Sequence, residues 1–475
     1  MRSLRSGFGW LAATVLLFAF SDAQAVPSFA RQTGMDCTTC HMSWLELTNV
    51  GRRFKLGGYQ LTKAMNEETK RPLVSFRFDD PAPIIPIAGM LQFSYNNTQR
   101  RNTPGVNLDD RSGDIPNQGQ VILQQASLFL NGKIAPHVGC FCQLTWDGVA
   151  SRTVADNMDI RFANDYNGEK FNALYGVSLN NSPGMSDVLN TTPVWWWPYV
   201  GGQGVAPGAA PALAGTFAQT TAGVSAYALI DRVVYLEAGG YRTADSLFSF
   251  LRVGVPNDGT LQRVDGIAPY YRAFVQHEWD HGRQSAQLGT FGMTADKYLQ
   301  NPDAPDWNDK SLGTDRYADT GFDAQYQYIT DKNRFSFMFT SIHEKQTLNA
   351  TFAHGFSENP TNTLNTVNTK VTYYRNKWYG ASLGYQETTG SADALLYQPG
   401  TAVNGYANNR PDSKAIIGEL NWLISPTNKQ AFRRSRLVLQ YTAYQQFNGG
   451  SSNYDGLGRN ASDNNTVSLI LWLMY

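Results

Sequence analysis

Phe322-Asp323-Ala324-Gln325-Tyr326-Gln327-Tyr328 decides the fold. Apolar and polar side chains alternate one by one along it, which puts Phe322, Ala324, Tyr326 and Tyr328 on one face of an extended strand and the polar residues on the other. Leu437, Leu439, Tyr441 and Ala443 repeat the pattern against Val438, Gln440 and Thr442. Working outward, the chain from about Pro86 onward is a succession of such stretches, each ended by a break. Strands are expected near 86–99, 119–131, 138–150, 156–167, 170–180, 213–230, 232–244, 265–279, 282–295, 315–329, 333–346, 365–375, 378–389, 413–424, 435–447 and 464–475. The links alternate too, long and polar as at Asn181–Ala212 and Gly390–Asp412, short as at Ile230-Asp231-Arg232, Asp280-His281, Thr330-Asp331-Lys332 and Asn376-Lys377. An even number of strands with short turns on one rim and long loops on the other predicts an all-β, antiparallel outer-membrane barrel of about 16 strands. The loops are then extracellular and the turns periplasmic. A soluble β-sandwich would have shorter strands with outward polar faces.

Composition agrees. The 475 residues carry 39 basic and 39 acidic side chains, so a nucleic-acid partner is not expected. Charged residues are only 16 % and aromatics 13 %, a balance suited to a sheet with lipid on one face. Beyond the N-terminus no apolar run is long enough to span a bilayer as a helix.

At the N-terminus, Arg2 and Arg5 precede an apolar stretch from Trp10 to Phe20 and then Ala23-Gln24-Ala25, which reads as a signal peptide over residues 1–25. The mature chain is expected to begin at Val26, with a small segment at 26–85 and the barrel at 86–475. In that segment stands Cys37-Thr38-Thr39-Cys40-His41, the attachment pattern of a c-type haem. With 4 Cys and 6 His in the chain, shuffling would produce it roughly 4 × 10⁻⁴ times per chain. Two thioethers one turn apart clamp the porphyrin edge, and the adjoining imidazole reaches the iron. A zinc or redox pair is the competing reading, but zinc would need two more ligands, and no Cys or His follows before His137. At the expected size, about 60 residues, the segment has a marginal core of its own, so it is expected to lean on the barrel and plug its lumen.

Cys140 and Cys142 share the apolar face of a strand with Val138, Leu144 and Trp146, and are expected to be small lipid-facing hydrophobes rather than a disulfide. Asp147, Asp159, Arg161, Asp323, Gln325, Gln327, Glu419, Asn421, Gln440 and Thr442 are expected to face a wet lumen as ordinary solvated residues. Trp195-Trp196-Trp197-Pro198-Tyr199 lies in the third long loop, where it would either stack near a haem or pack on the rim.

Pro27-Ser28-Phe29-Ala30-Arg31-Gln32-Thr33-Gly34, followed by Cys37 to His41, Leu47, Gly51-Arg52-Arg53-Phe54-Lys55 and Gly58-Tyr59, resembles the N-terminal signature of the fused monohaem cytochrome–porins. These are outer-membrane Fe(II) oxidases of iron-oxidising bacteria. Leu45 stands where that family is expected to have Pro, and Val50 where it is expected to have Phe. The resemblance implies one covalent haem c on Cys37 and Cys40 with His41 as proximal ligand. It further implies that the activity is oxidation of extracellular Fe(II), one electron passing to a soluble periplasmic carrier of cytochrome c or cupredoxin type. A conduit for another donor or acceptor, or a diffusion porin with a structural or regulatory haem segment, are the alternatives.

The distal iron ligand is expected to be a thioether, since Met raises the potential of a c-type haem relative to a second His. Met65 is the candidate: Met42 adjoins His41, Met35 lies two residues before Cys37, and Met65 follows far enough along for the chain to wrap around a porphyrin. Gap filling by Met65, or ligation by a barrel residue or water, is the competing reading. His277 and His343 fall on apolar strand faces and do not point clearly into the lumen.

Overall fold

The computed structural model describes residues 27–43, 45–69, 86–101, 115, 118–191, 205–252, 262–301, 306, 309–424 and 435–474. The signal peptide, the Trp195–Tyr199 run and Tyr475 lie outside them. The sixteen long strands are β1 Ile87–Thr98, β2 Val121–Ala135, β3 Val138–Asp147, β4 Arg152–Asn167, β5 Asn172–Asn180, β6 Thr221–Ile230, β7 Val234–Thr243, β8 Ala268–Trp279, β9 Gln284–Tyr298, β10 Thr314–Ile329, β11 Asn333–Thr347, β12 Thr361–Arg375, β13 Tyr379–Gly390, β14 Ser413–Ile424, β15 Ser435–Gln446 and β16 Thr466–Met474. A two-residue strand, Val264–Asp265, pairs with the end of β9. Every neighbouring pair is antiparallel, and β16 returns to pair with β1 from Met90↔Met474 to Thr98↔Thr466, so the sheet closes on itself.

The alternation that predicts the strands also sets their two faces. Leu288, Phe322, Leu383 and Leu420 project outward and are more than half exposed, while their neighbours Gln287, Asp323, Ser382 and Glu419 are buried inside. An apolar exterior on a closed barrel is the surface a lipid bilayer requires, because closure leaves no unpaired strand edge in hydrocarbon. The chain is therefore an outer-membrane β-barrel. Three short turns, at Asp231-Arg232, Asp280-His281 and Asn376-Lys377, place both central residues at positive φ, the tight hairpin geometry whose twist matches that of the flanking strands. His277 and His343 sit on outward positions, as the alternation implies.

Three expectations change. The strand expected over 213–230 begins only at Thr221; residues Ala212–Ala214 form a short 3₁₀ turn whose N–H groups at Ala212 and Leu213 donate to Glu344 and Asp319 at 2.6 Å. Small Ala, Gly and Thr residues fit either conformation, so alternation there carries little information. Cys140 is free but not lipid-exposed: it is 1 % accessible, and its thiol donates to the carbonyl of Leu130 on β2, whereas Leu144 and Trp146 on the same strand are exposed. The inward residues are also not freely solvated: Asp159, Arg161, Asp323, Gln325, Gln327, Glu419, Asn421, Gln440 and Thr442 are buried, whereas Asp147 at the end of β3 is half-buried.

The N-terminal segment enters the lumen and forms α1 Pro27–Thr33, α2 Cys37–Cys40, α3 Asn49–Leu56 and α4 Lys63–Thr69. It is tied to the wall on several sides. Gln32 donates to Asn131 O on β2 at 2.9 Å, Tyr227 on β6 donates to Leu56 O at 2.6 Å, and Gln327 on β10 donates to Leu47 O at 3.0 Å. The Ala64 N–H donates to Asp165 on β4 at 2.9 Å, and Lys370 on β12 meets Glu46 at 3.4 Å. These bonds seat the segment, hereafter the plug, against the inner face of the barrel wall.

Candidate functional site

The site grows from a helix of one turn. Asp36 and His41 flank α2 as its two caps, and the His41 N–H donates to Cys37 O at 2.8 Å. Thr48 then caps α3, accepting from the Gly51 N–H at 3.2 Å while its hydroxyl donates to Thr39 O at 2.6 Å. The two helices meet at Gly51, where a Cβ would stand 2.1 Å from the carbonyl oxygen of Cys40. Only glycine allows this approach.

Phe29, Ala30, Thr33, Met35, Asp36, Cys37, Cys40, His41, Leu47, Gly51, Phe54, Lys55, Tyr59, Phe141 and Thr191 line a partly open cavity of about 60 Å³. Its wall is mostly apolar, as the walls of small-molecule and cofactor pockets are. Phe29 anchors it: its ring stacks on Tyr59 at 5.8 Å, meets Phe54 edge-on at 5.0 Å and stacks on Phe141 of β3 at 6.4 Å. Both thiols of the attachment pattern are free and share this wall with His41.

Arg334 on β11 locks the motif to the barrel, its guanidinium donating to His41 O at 2.9 Å and Thr38 O at 2.6 Å. Burial, with the Arg334 charge second, pushes the His41 imidazole down to about 4, so it is held in the neutral form that ligates metals. Burial, reinforced by the neighbouring Cys37, pushes the Cys40 thiol up to about 12, the opposite of an activated redox cysteine. Among the described residues no group of three or more His, Cys, Asp and Glu side chains is arranged to hold a metal ion, so a zinc site finds no four-ligand set. The residues present fit a covalently attached haem: two thiols one turn apart, an adjoining neutral imidazole and an apolar cavity.

The far wall comes from outside the motif. After β5 the chain leaves the barrel wall and turns into the lumen, where Leu189 O accepts from Leu47 N at 2.7 Å, Leu45 O accepts from Thr191 N at 2.5 Å, and Asn190 bridges Glu46. Lys55 donates to Asp187 O at 2.5 Å and to Asn190 O at 3.3 Å. Its ammonium is pushed down to about 8 by burial first and by Arg161 second. On the other side, Tyr59 donates to Asp159 at 2.5 Å, and that carboxylate also accepts from Arg161 and Ser178, each at 2.7 Å.

Cys37, Cys40 and His41 are thus brought together as their spacing implies. Met65 shares a buried cluster with Met35, Phe54, Tyr59 and Phe141 but lines a separate, more polar cavity with Arg53, Asp165 and Arg232. Met42 lies in a narrow cleft with Cys37, His41, Tyr374 and Lys377. Leu45 occupies φ 80°, a conformation closed to proline. Sequence reasoning missed Arg334 and the in-folded 181–191 loop. Arg334 stands 293 residues from His41, and nothing local in the sequence marks that pairing.

No family model and no curated protein matches the chain. Among solved structures, it is similar to an anion-selective porin from Comamonas acidovorans (12 % identity, 82 % of this chain and 98 % of that one, TM-score 0.42). It is also similar to the outer membrane channel DcaP of Acinetobacter baumannii (11 %, 82 % and 96 %, TM-score 0.41) and to the outer membrane protein OmpT of Vibrio cholerae in its trimer form (10 %, 82 % and 98 %, TM-score 0.41).

Proposed function

We propose that this outer-membrane barrel carries single electrons between the cell exterior and the periplasm through a c-type haem held by its plug, and that the donor is extracellular Fe(II). The observation that carries the reading is the position of Cys37, Cys40 and His41 on one apolar cavity inside the lumen. A haem bound there supplies a one-electron acceptor and donor. The chain's own residues then do the rest: Cys37 and Cys40 attach it, His41 ligates it, Arg334 fixes the motif backbone, and Phe29, Phe54, Tyr59 and Phe141 exclude water. In net terms each Fe(II) becomes Fe(III) outside, and one electron leaves to a soluble periplasmic acceptor of cytochrome c or cupredoxin type. A hydrocarbon layer of about 30 Å is too thick for a haem on one surface to bridge comfortably, which favours a site within the lumen. Ferric iron precipitates near neutral pH, so oxidation outside keeps the solid product out of the cell.

The choice of Fe(II) rests on the resemblance of the N-terminal signature, and two other readings keep their own support. The likeness of the wall to porins is what a diffusion porin with a structural or regulatory haem segment would give. A conduit for another donor or acceptor would share every feature of the site. Stopped-flow mixing of the oxidised, detergent-purified protein with Fe(II), beside a panel of other reductants, separates the three. Rapid reduction by Fe(II) is expected. Reduction only by another reductant would move the donor, and solute uptake by proteoliposomes without any reduction would favour the porin. The proposed orientation is tested alongside: a tag within Gly390–Asp412 should be reachable on intact cells and one at Asp331-Lys332 should not.

A further inference from the structure

We infer that Met35, not Met65, is the side chain that faces His41 across the haem iron. The inference rests on the haem reading above and deepens it.

Three methionines of the plug are available among the described residues, and the cavity sorts them. Met35 lines the cavity that Cys37, Cys40 and His41 share. Met42, one residue beyond His41, lies in the narrow cleft beside Tyr374 and Lys377. Met65 belongs to the wall of a different cavity. Met35 stands only two residues before Cys37, but at the other end of α2 from His41. The helix α2 holds both thiols; Met35 precedes its N-cap Asp36, and His41 is its C-cap. The thioether and the imidazole therefore leave from opposite ends of a one-turn helix about 6 Å long, with the two attachment points between them.

The turn that allows this is made by Gly34, which takes φ 64° as its N–H closes onto Ala30 O at 2.8 Å. This left-handed step ends α1 and lets Met35 follow while Phe29, Ala30 and Thr33 of the same helix stay on the cavity wall. Two other side chains there able to ligate iron are already engaged. Lys55 donates to Asp187 O and Asn190 O, and Tyr59 donates to Asp159. A thioether makes no hydrogen bond that ligation would have to break.

The test uses the full-length, haem-matured protein in detergent, with spectra and midpoint potentials as readouts. Pyridine haemochrome analysis first counts covalent haem. Wild-type protein without it would overturn the haem reading itself, and this inference with it. With haem present, wild type should show the weak red charge-transfer band of a thioether bound to ferric haem. Met35→Ala should lose that band and shift the potential downward, whereas Met65→Ala should leave both unchanged. Met35→His should restore a six-coordinate, low-spin spectrum at a potential below wild type. Retention of the wild-type band and potential in Met35→Ala would overturn the inference while leaving the haem reading intact, as would their loss in Met65→Ala or Lys55→Gln instead.

Discussion

The wall of this molecule and the plug inside it obey different rules. Each strand of the wall satisfies its backbone through its two neighbours, so its side chains need only sort by face, and Leu288 beside Gln287 is enough to define inside and outside. Among its described residues the plug has short helices and no sheet of its own. Its polar groups and apolar rings are completed by the wall, as Leu56 O is by Tyr227 and Phe29 is by Phe141. Alternation therefore specifies the wall, whereas the plug is specified jointly by both regions.

The largest expected effect breaks the two apart. Cys37→Ala or His41→Ala should abolish redox activity of the purified protein, since neither residue belongs to a strand, while the barrel still inserts and shows its heat-modifiable mobility on gels. Full reduction by Fe(II) in either variant would sink the haem assignment, and loss of the barrel would mean that wall and plug fold as one unit.

The next effect falls where the regions join. Asp159 on β4 accepts from Tyr59 of the plug and from buried Arg161 of the wall. Removing it strands the Arg161 guanidinium between the Tyr59 and Tyr227 rings, 5.8 and 5.2 Å from its carbon. Asp159→Ala should cost about 3–5 kcal/mol, read from the urea midpoint of the haem absorbance. The double variant Asp159→Leu with Arg161→Met should recover most of that loss, because the penalty comes from an unpaired buried charge. An additive loss in the double variant would show that the pair itself stabilises the join.

The same division decides what the sequence reveals. Sixteen strands, the inward faces of Asp323, Gln325 and Gln327, and the closeness of Cys37, Cys40 and His41 depend on periods of two or on neighbours in a turn, so they are legible locally. Arg334 on His41 and Gln327 on Leu47 span 293 and 280 residues. No local pattern records such pairs. Distance along the chain points to Met65, yet the fold of α1 and Gly34 places Met35 on the cavity wall. The burial of the inward polar residues is not legible, because they read the same whether water or a plug covers them.

Gly51→Ala sharpens the comparison within the plug. Its added methyl would meet the backbone oxygen of Cys40 at 2.1 Å, an atom fixed by the haem motif, so α2 and α3 must part. Overpacking of this kind costs about 1–3 kcal/mol, against the roughly 1 kcal/mol that Ala ordinarily gains over Gly in a helix. The variant should unfold its plug at lower urea with an altered haem spectrum, and an unchanged spectrum would mean that the helices do not touch there.

The smallest effect is an inversion of order at Leu45. Its backbone sits at φ 80°, while its side chain packs against Leu423, Val438, Ile470 and Trp472 of the wall and its carbonyl accepts from Thr191. Leu45→Ala keeps the left-handed backbone but loses the packing, at a cost of about 1 kcal/mol for a half-buried side chain. Leu45→Gly loses the same packing but also relieves the left-handed conformation, worth about 1–2 kcal/mol, so the two changes nearly cancel. Glycine should therefore be more stable than alanine at this position, the reverse of the usual ranking, and Leu45→Pro should be the worst of the three because its ring fixes φ near −65°. The three urea midpoints decide it: alanine above glycine would mean that the backbone at 45 is not left-handed, and the wall would then hold Leu45 by its side chain alone.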